Sequence, residues 1–195
     1  MKHFVTFEGI DGSGKSTISK LVYKKLVSEG FDVVLTCEPT DSWIGKQVKS
    51  CINNNSDPFV TTLVFIADRI EHTKQIKKWL DEGKIVLCDR YVDSTYAYQA
   101  AQLEDSIAIP LKWLKELSKN HYIVPERTFL FLINPKDSIS RIKDRENLIP
   151  FEKQVFLKKV HKNYLKLAVE KRFLKIDASK SIEDLVNICY TDILK

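Results

Sequence analysis

The four cysteines, Cys37, Cys51, Cys88 and Cys189, stand far apart with no C-x-x-C pair among them. That spacing argues against a zinc site or a redox motif and for reduced thiols. No apolar stretch approaches the length of a membrane span. Met1-Lys2-His3-Phe4 runs directly into an apolar strand pattern with no signal-peptide character, so a soluble, cytoplasmic protein without a membrane partner is expected. Internal repeats, low-complexity tracts and Pro/Gly/Ser linkers are also missing, and the 195 residues are expected to form one domain over 1–195. Basic runs go no further than short lysine pairs. The net charge of +5, from 31 Lys and Arg against 26 Asp and Glu, is scattered as on a solvated surface. It speaks against nucleic acid as a partner while favouring small anionic substrates.

Glycine is scarce as well, yet three of the six stand at Gly9, Gly12 and Gly14. Phe4-Val5-Thr6-Phe7-Glu8 before them reads as a buried strand, and Thr17-Ile18-Ser19-Lys20 after them opens a helix. Between the two lies Gly9-Ile10-Asp11-Gly12-Ser13-Gly14-Lys15-Ser16, the complete spacing G-x-x-x-x-G-K-S. Such a loop turns its N–H groups onto an anion at the positive end of a helix. Lys15 is placed to reach the β- and γ-phosphates of ATP, and the Ser16 hydroxyl to ligate Mg²⁺. Residues Gly9 to Thr17 are therefore the expected ATP-binding segment. Asp11 is a carboxylate inside a loop made for polyanions, where it must face a second substrate or the metal. The loop has no arginine between Gly9 and Lys15, so charge for the transferring phosphoryl group has to come from another segment.

Strand patterns alternate with helix patterns through the rest of the chain. Strands are predicted at 31–36, 84–88, 127–133 and 172–176, and the principal helices at 14–29, 43–52, 59–82, 110–119, 136–145, 151–171 and 181–194. The order implies an α/β fold, a parallel sheet of five strands with helices on both faces. Glu38 follows the second strand, where ligands of such sheets bind. It suits accepting bonds from a substrate or orienting an arginine, and a plain helix-entry turn capped by Asp41 or Ser42 fits the spacing equally. Phe65 and Arg69 share a helix face at i, i+4, a pair that can stack on and bond a base or simply pack. Asp89 ends the third strand and suits Mg²⁺ or its water shell. Arg90 beside it can fork onto a phosphate. The helix begun by Tyr91 is rich in polar tips. Arg141 and Arg145, also at i, i+4, can supply the missing positive segment as arginine fingers in cis, a solvated basic helix being the other reading of the pair.

Taken together, Phe7 to Thr17, Glu38-Pro39-Thr40, Phe65-Ile66-Ala67-Asp68-Arg69 and above all Asp89-Arg90-Tyr91-Val92-Asp93-Ser94-Thr95-Tyr96-Ala97-Tyr98-Gln99 resemble the thymidylate kinase family along nearly the whole chain. The resemblance implies a three-layer P-loop NTPase fold and transfer of the ATP γ-phosphoryl group to dTMP with Mg²⁺. It implies that Phe65 stacks on thymine, Arg69 bonds its carbonyl edge and Arg90 grips the acceptor phosphate. By the same resemblance Tyr98 sits where a 2′-hydroxyl would project, Ser94, Thr95 and Gln99 line the base pocket, and Asp11 meets the acceptor's sugar side or its metal. The arginines of 141–152 correspond to a mobile lid. Where many members carry Arg before the Glu-Pro pair, this chain has Cys37. The family is usually homodimeric and cytoplasmic.

Overall fold

The computed structural model describes residues 1–142 and 151–195. The chain runs β1 (Phe4–Glu8), α1 (Lys15–Ser28), β2 (Val33–Cys37), α2 (Trp43–Asn53), α3 (Pro58–Asp81), β3 (Ile85–Asp89), α4 (Val92–Gln102), α5 (Pro110–Ser118), β4 (Arg127–Leu132), α6 (Pro135–Ile142), α7 (Phe151–Leu167), β5 (Phe173–Asp177) and α8 (Ile182–Leu194). All five strands pair in parallel, in the order β2-β3-β1-β4-β5. This is the expected α/β fold of P-loop NTPase type. From β1 the chain moves to β2, and from β3 it moves across β1 to β4. Right-handed crossovers in opposite directions put α1 on one face of the sheet and α4 on the other. Accordingly α1 packs on α8, whereas α4 packs on α3, α5 and α7.

The centre of the sheet is apolar on both faces because both are covered. Every residue of β1 is buried, and Phe7 lies 5.4 Å from the Phe129 ring and 6.2 Å from Phe131. Helix starts follow their local chemistry. Ser42 accepts from the Gly45 N–H, Asp57 from Phe59 and Val60 with Pro58 in the first turn, and Ser181 from Asp184.

Several boundaries shift by a few residues from the sequence expectation, two of them for identifiable tertiary reasons. Helix α7 stops at Leu167 rather than near Lys171. The turn that follows carries Arg172 back beneath α4, where it makes a bidentate pair with the buried Asp93 at 2.6 and 2.7 Å and donates to Thr128 Oγ1 at 2.6 Å. Strand β3 ends one residue later, at Asp89, because Cys37 and Asp89 remain in register at the sheet's carboxyl edge.

Phe129 sits at the centre of this core and is fully buried. Phe129→Ala is expected to lower the unfolding free energy by about 3–5 kcal/mol, read as a shift of the urea midpoint by circular dichroism. A loss below about 1 kcal/mol would show that the sheet collapses around the gap.

Candidate active site

The register sets Phe7 of β1 beside Asp89 of β3, so the loops leaving these strands start next to each other. The β1 loop can bend as tightly as it does only with glycine at its first position. Gly9 has φ +147°, and a Cβ there would stand 2.7 Å from the Phe131 carbonyl oxygen and 2.9 Å from Ser13 Oγ. Gly14, at φ +88°, starts α1. The β3 side turns through Arg90, a non-glycine residue at φ +66°. That backbone costs about 1–3 kcal/mol and persists because the surroundings hold it. The Arg90 N–H donates to the Phe7 carbonyl at 3.0 Å, and its guanidinium turns back over the glycine loop.

There Arg90 donates to Gly9 O at 3.3 Å, Ser94 Oγ at 3.1 Å and Asp11 Oδ1 at 2.5 Å, and lies 5.0 Å over the Tyr98 ring. The Tyr98 hydroxyl donates to Asp11 Oδ2 at 3.1 Å. The loop carboxylate that looked out of place is thus matched to the cation of the neighbouring loop. Lys15 is buried, and burial followed by the Arg90 charge brings its ammonium down to about 8, against the pull of Asp11, Asp89 and Glu8. Asp89 Oδ1 and Ser13 Oγ are buried with no hydrogen-bond partner among the described residues.

Around these loops lies a cleft of about 860 Å³, a size suited to a small-molecule substrate. Its lining brings together Asp11, Gly12, Lys15, Ser16, Glu38, Phe65, Arg69, Arg90, Ser94, Thr95, Tyr98 and Gln99, residues singled out in four separate stretches of sequence. Arg69 is buried; its Nε and Nη2 donate to Glu38 Oε2 at 2.9 and 2.6 Å, and Nη2 also to Thr95 Oγ1 at 2.8 Å. Of the two roles open to Glu38, it fills that of orienting an arginine. Gln99 bonds Gln102 at 3.2 Å. Arg141 does not line the cleft: its guanidinium donates to Ala178 O at 3.3 and 3.4 Å, in the turn after β5. Arg145 lies outside the described residues, as do residues 143–150 of the expected lid.

Three residues of the site were not anticipated. Glu8, wholly buried, accepts from the N–H groups of Tyr91 and Ser94 at 2.8 and 3.3 Å and from the hydroxyls of Ser94 and Tyr164 at 2.6 and 2.9 Å. It caps α4 from another element, which leaves the Tyr91 side chain unneeded for that task. An acid at the end of an apolar strand was the available signal. His72, three residues after Arg69, bonds Glu38 Oε1; the i, i+3 spacing was its signal. Tyr164 had none, being 156 residues from its partner.

Comparison with known proteins agrees with this geometry. The family described as Thymidylate kinase matches residues 7–188. The chain belongs to the thymidylate kinase family. It is 45% identical over 183 residues to a protein of Methanosarcina barkeri named "Probable thymidylate kinase", covering 92% of this chain and 89% of that one. Proteins of the same name from Methanosarcina acetivorans and Methanocaldococcus jannaschii are 40% and 39% identical, covering 93% and 94% of this chain and 90% and 92% of theirs. Helices α3 and α4 form one wall of the cleft, contributing Phe65 and Arg69 from the first and Ser94, Thr95, Tyr98 and Gln99 from the second.

Burial, and then the Asp93 charge, push the Glu8 carboxyl up to about 7. Between the ordinary carboxylate range and that value the folded protein holds a proton on Glu8 that the unfolded chain has released. Stability contributed here therefore falls as pH rises from about 4.5 to about 7, by at most about 3 kcal/mol. In Glu8→Gln that part of the decline is expected to vanish, measured as urea unfolding of both proteins from pH 5 to 8. Parallel pH curves would refute the shift.

Proposed function

We propose that the chain transfers the γ-phosphoryl group of ATP to the 5′-phosphate of dTMP, giving dTDP and ADP. Arg69 carries the acceptor side of this reading. Three of its five N–H groups are committed to protein oxygens, and Nη1, buried in the cleft wall, has no partner among the described residues. A buried donor of that kind calls for an acceptor, and a pyrimidine carbonyl supplies one. Phe65, four residues earlier on the same helix face and half-buried in the same wall, offers a ring for the base to stack on. Ser94, Thr95 and Gln99 would complete the pocket, with Tyr98 against the deoxyribose.

Arg90 would take the acceptor phosphate with its fork, a stronger partner than the single carboxylate of Asp11. Asp11 would then turn to the sugar side. The donor would lie on the loop from Gly9 to Thr17 with Lys15 at its β- and γ-phosphates. Holding two anions in line and neutralising developing charge is the whole task, and a phosphate oxygen needs no strong base to attack, so no general base is assigned.

Mg²⁺ fits the groups present: the Ser16 hydroxyl lines the cleft, and Asp89 has an uncommitted buried oxygen. Among the described residues no three His, Cys, Asp or Glu gather into a metal cage. When bound it would neutralise phosphate charge. The segment 141–152, with Arg141 and Arg145, is proposed to close over the phosphates and exclude water. Arg141 would have to leave Ala178 to take part. Among the described residues no helix is long and apolar enough to cross a membrane. A cytoplasmic homodimer of single-domain subunits completes the proposal.

A coupled ADP-release assay over a panel of nucleoside monophosphates is expected to respond to dTMP well above the others. Arg90→Ala is expected to cut dTMP turnover at least about 100-fold, and near-parental activity would remove the acceptor-clamp assignment. Phosphate oxygens beside Lys15 raise its lowered pKa, so ATP binding at about pH 8.5 should take up a proton. Calorimetry in two buffers of different ionisation enthalpy reads this directly; identical heats would contradict it.

A further inference from the structure

Arg69 can present Nη1 to a ligand only if the plane of its guanidinium is fixed, and that plane is fixed by Glu38. A lone carboxylate can pivot about its last bond. Glu38 cannot, because its other oxygen, Oε1, is bonded to His72 Nδ1 at 2.9 Å. His72 Nε2 in turn meets Thr36 Oγ1 at 2.8 Å, and the ring stands edge-on to Trp79 at 6.4 Å. An ionised carboxylate only accepts, so Nδ1 carries the hydrogen; in the neutral ring Nε2 then accepts from the Thr36 hydroxyl. The chain Thr36, His72, Glu38, Arg69 thus has a donor and an acceptor at every junction. It runs from β2 inward and ends on the one guanidinium nitrogen that is uncommitted among the described residues.

We infer that His72, backed by Thr36, is a positioning residue for recognition of the acceptor nucleotide, acting through Glu38 on Arg69 without touching the ligand. Neither residue lines the cleft. The inference rests on Arg69 as the base-binding group. It goes further in placing part of the acceptor affinity in a second layer, on the histidine three residues further along α3. His72 is the buried partner of the Glu38 carboxylate and Thr36 the half-buried partner of its ring, so loss of the His72 donor would leave Glu38 Oε1 unpaired and let the fork tilt.

The test is steady-state kinetics with dTMP varied at saturating ATP, and with ATP varied at saturating dTMP. His72→Asn keeps an N–H near the Nδ1 position, whereas His72→Leu keeps only bulk. His72→Leu is expected to raise KM for dTMP about tenfold or more, with kcat and KM for ATP within about threefold of the parent; His72→Asn should restore KM for dTMP to within about threefold. A KM for dTMP unchanged in His72→Leu overturns the inference. So does equal impairment of the Asn and Leu variants, or a parallel loss for ATP and dTMP, which marks a general structural role. Should His72→Leu not fold, Thr36→Val decides: it leaves the Glu38 bond but frees the ring, and a rise of about threefold in KM for dTMP alone is expected, no rise being contrary. If the parent protein shows no turnover with dTMP, the base-binding reading of Arg69 fails before any variant is compared.

Discussion

Glu8 is a buried carboxyl with four donors converging on it, and the distance between the two halves of the cleft depends on it. Its backbone belongs to β1 and hands the chain directly to Gly9. Its side chain receives the first N–H groups of α4 and, through Tyr164, a bond from α7. Two loops from adjacent parallel strands would otherwise be free to diverge, since nothing in a parallel ladder continues past the strand ends. With Glu8 in place the start of α4 is fixed against the phosphate loop, and Arg90 is forced into its positive-φ turn with its guanidinium over Gly9. Asp93 and Arg172 hold the same helix from behind through a bidentate pair. The cost is electrostatic: burial first, and then the charge of Asp93, raise the Glu8 pKa.

The charges of the cleft are balanced without any ligand. Arg69 is set against Glu38, Arg90 against Asp11, and Lys15 is drawn on by Asp89 and Asp11. Such pairing keeps three cations in a partly buried space from repelling one another apart. It also leaves specific atoms unmatched. Of the five buried side-chain atoms without a partner among the described residues, Ser13 Oγ, Arg69 Nη1 and Asp89 Oδ1 belong to the site. Each unmade bond costs about 1–3 kcal/mol. A fold that tolerates three of them in one region has its donors and acceptors already aimed, and a ligand that meets them avoids the ordering cost that binding usually carries.

How much of this could be read from sequence follows from how local each signal is. The phosphate loop is legible because its glycines, lysine and serine are contiguous, and the sheet because strand and helix periods alternate. Glu38, Phe65, Arg69, Asp89 and Arg90 could be picked out because each stands at a strand end or shares a helix face with another marked residue. What escaped depends on distant partners. No pattern near Arg172 says that it must turn back to Asp93, 79 residues away, and end α7 early. Glu8 reads as the last residue of a strand until α4 is laid against it. Arg141 and Arg145 share a helix spacing, but spacing does not say what the face meets, and for Arg141 it is the Ala178 carbonyl.

The choice of arginine over lysine at two positions follows from the same geometry. At position 69 one planar group does two things at once: Nε and Nη2 anchor it to Glu38 and Thr95, and Nη1 stays uncommitted among the described residues. A lysine ammonium has its donors on a single nitrogen, so anchoring it would aim the remaining hydrogens back along the same short arc, away from the cleft. At position 90 the two terminal nitrogens of the fork reach Gly9, Ser94 and Asp11 together, a span that one ammonium nitrogen could not cover. Lys15 has no such double duty. In the proposed reaction it has to deliver a compact positive charge from a buried stem to phosphates held by backbone N–H groups. An ammonium does that, and burial together with the Arg90 charge lowers its pKa to about 8.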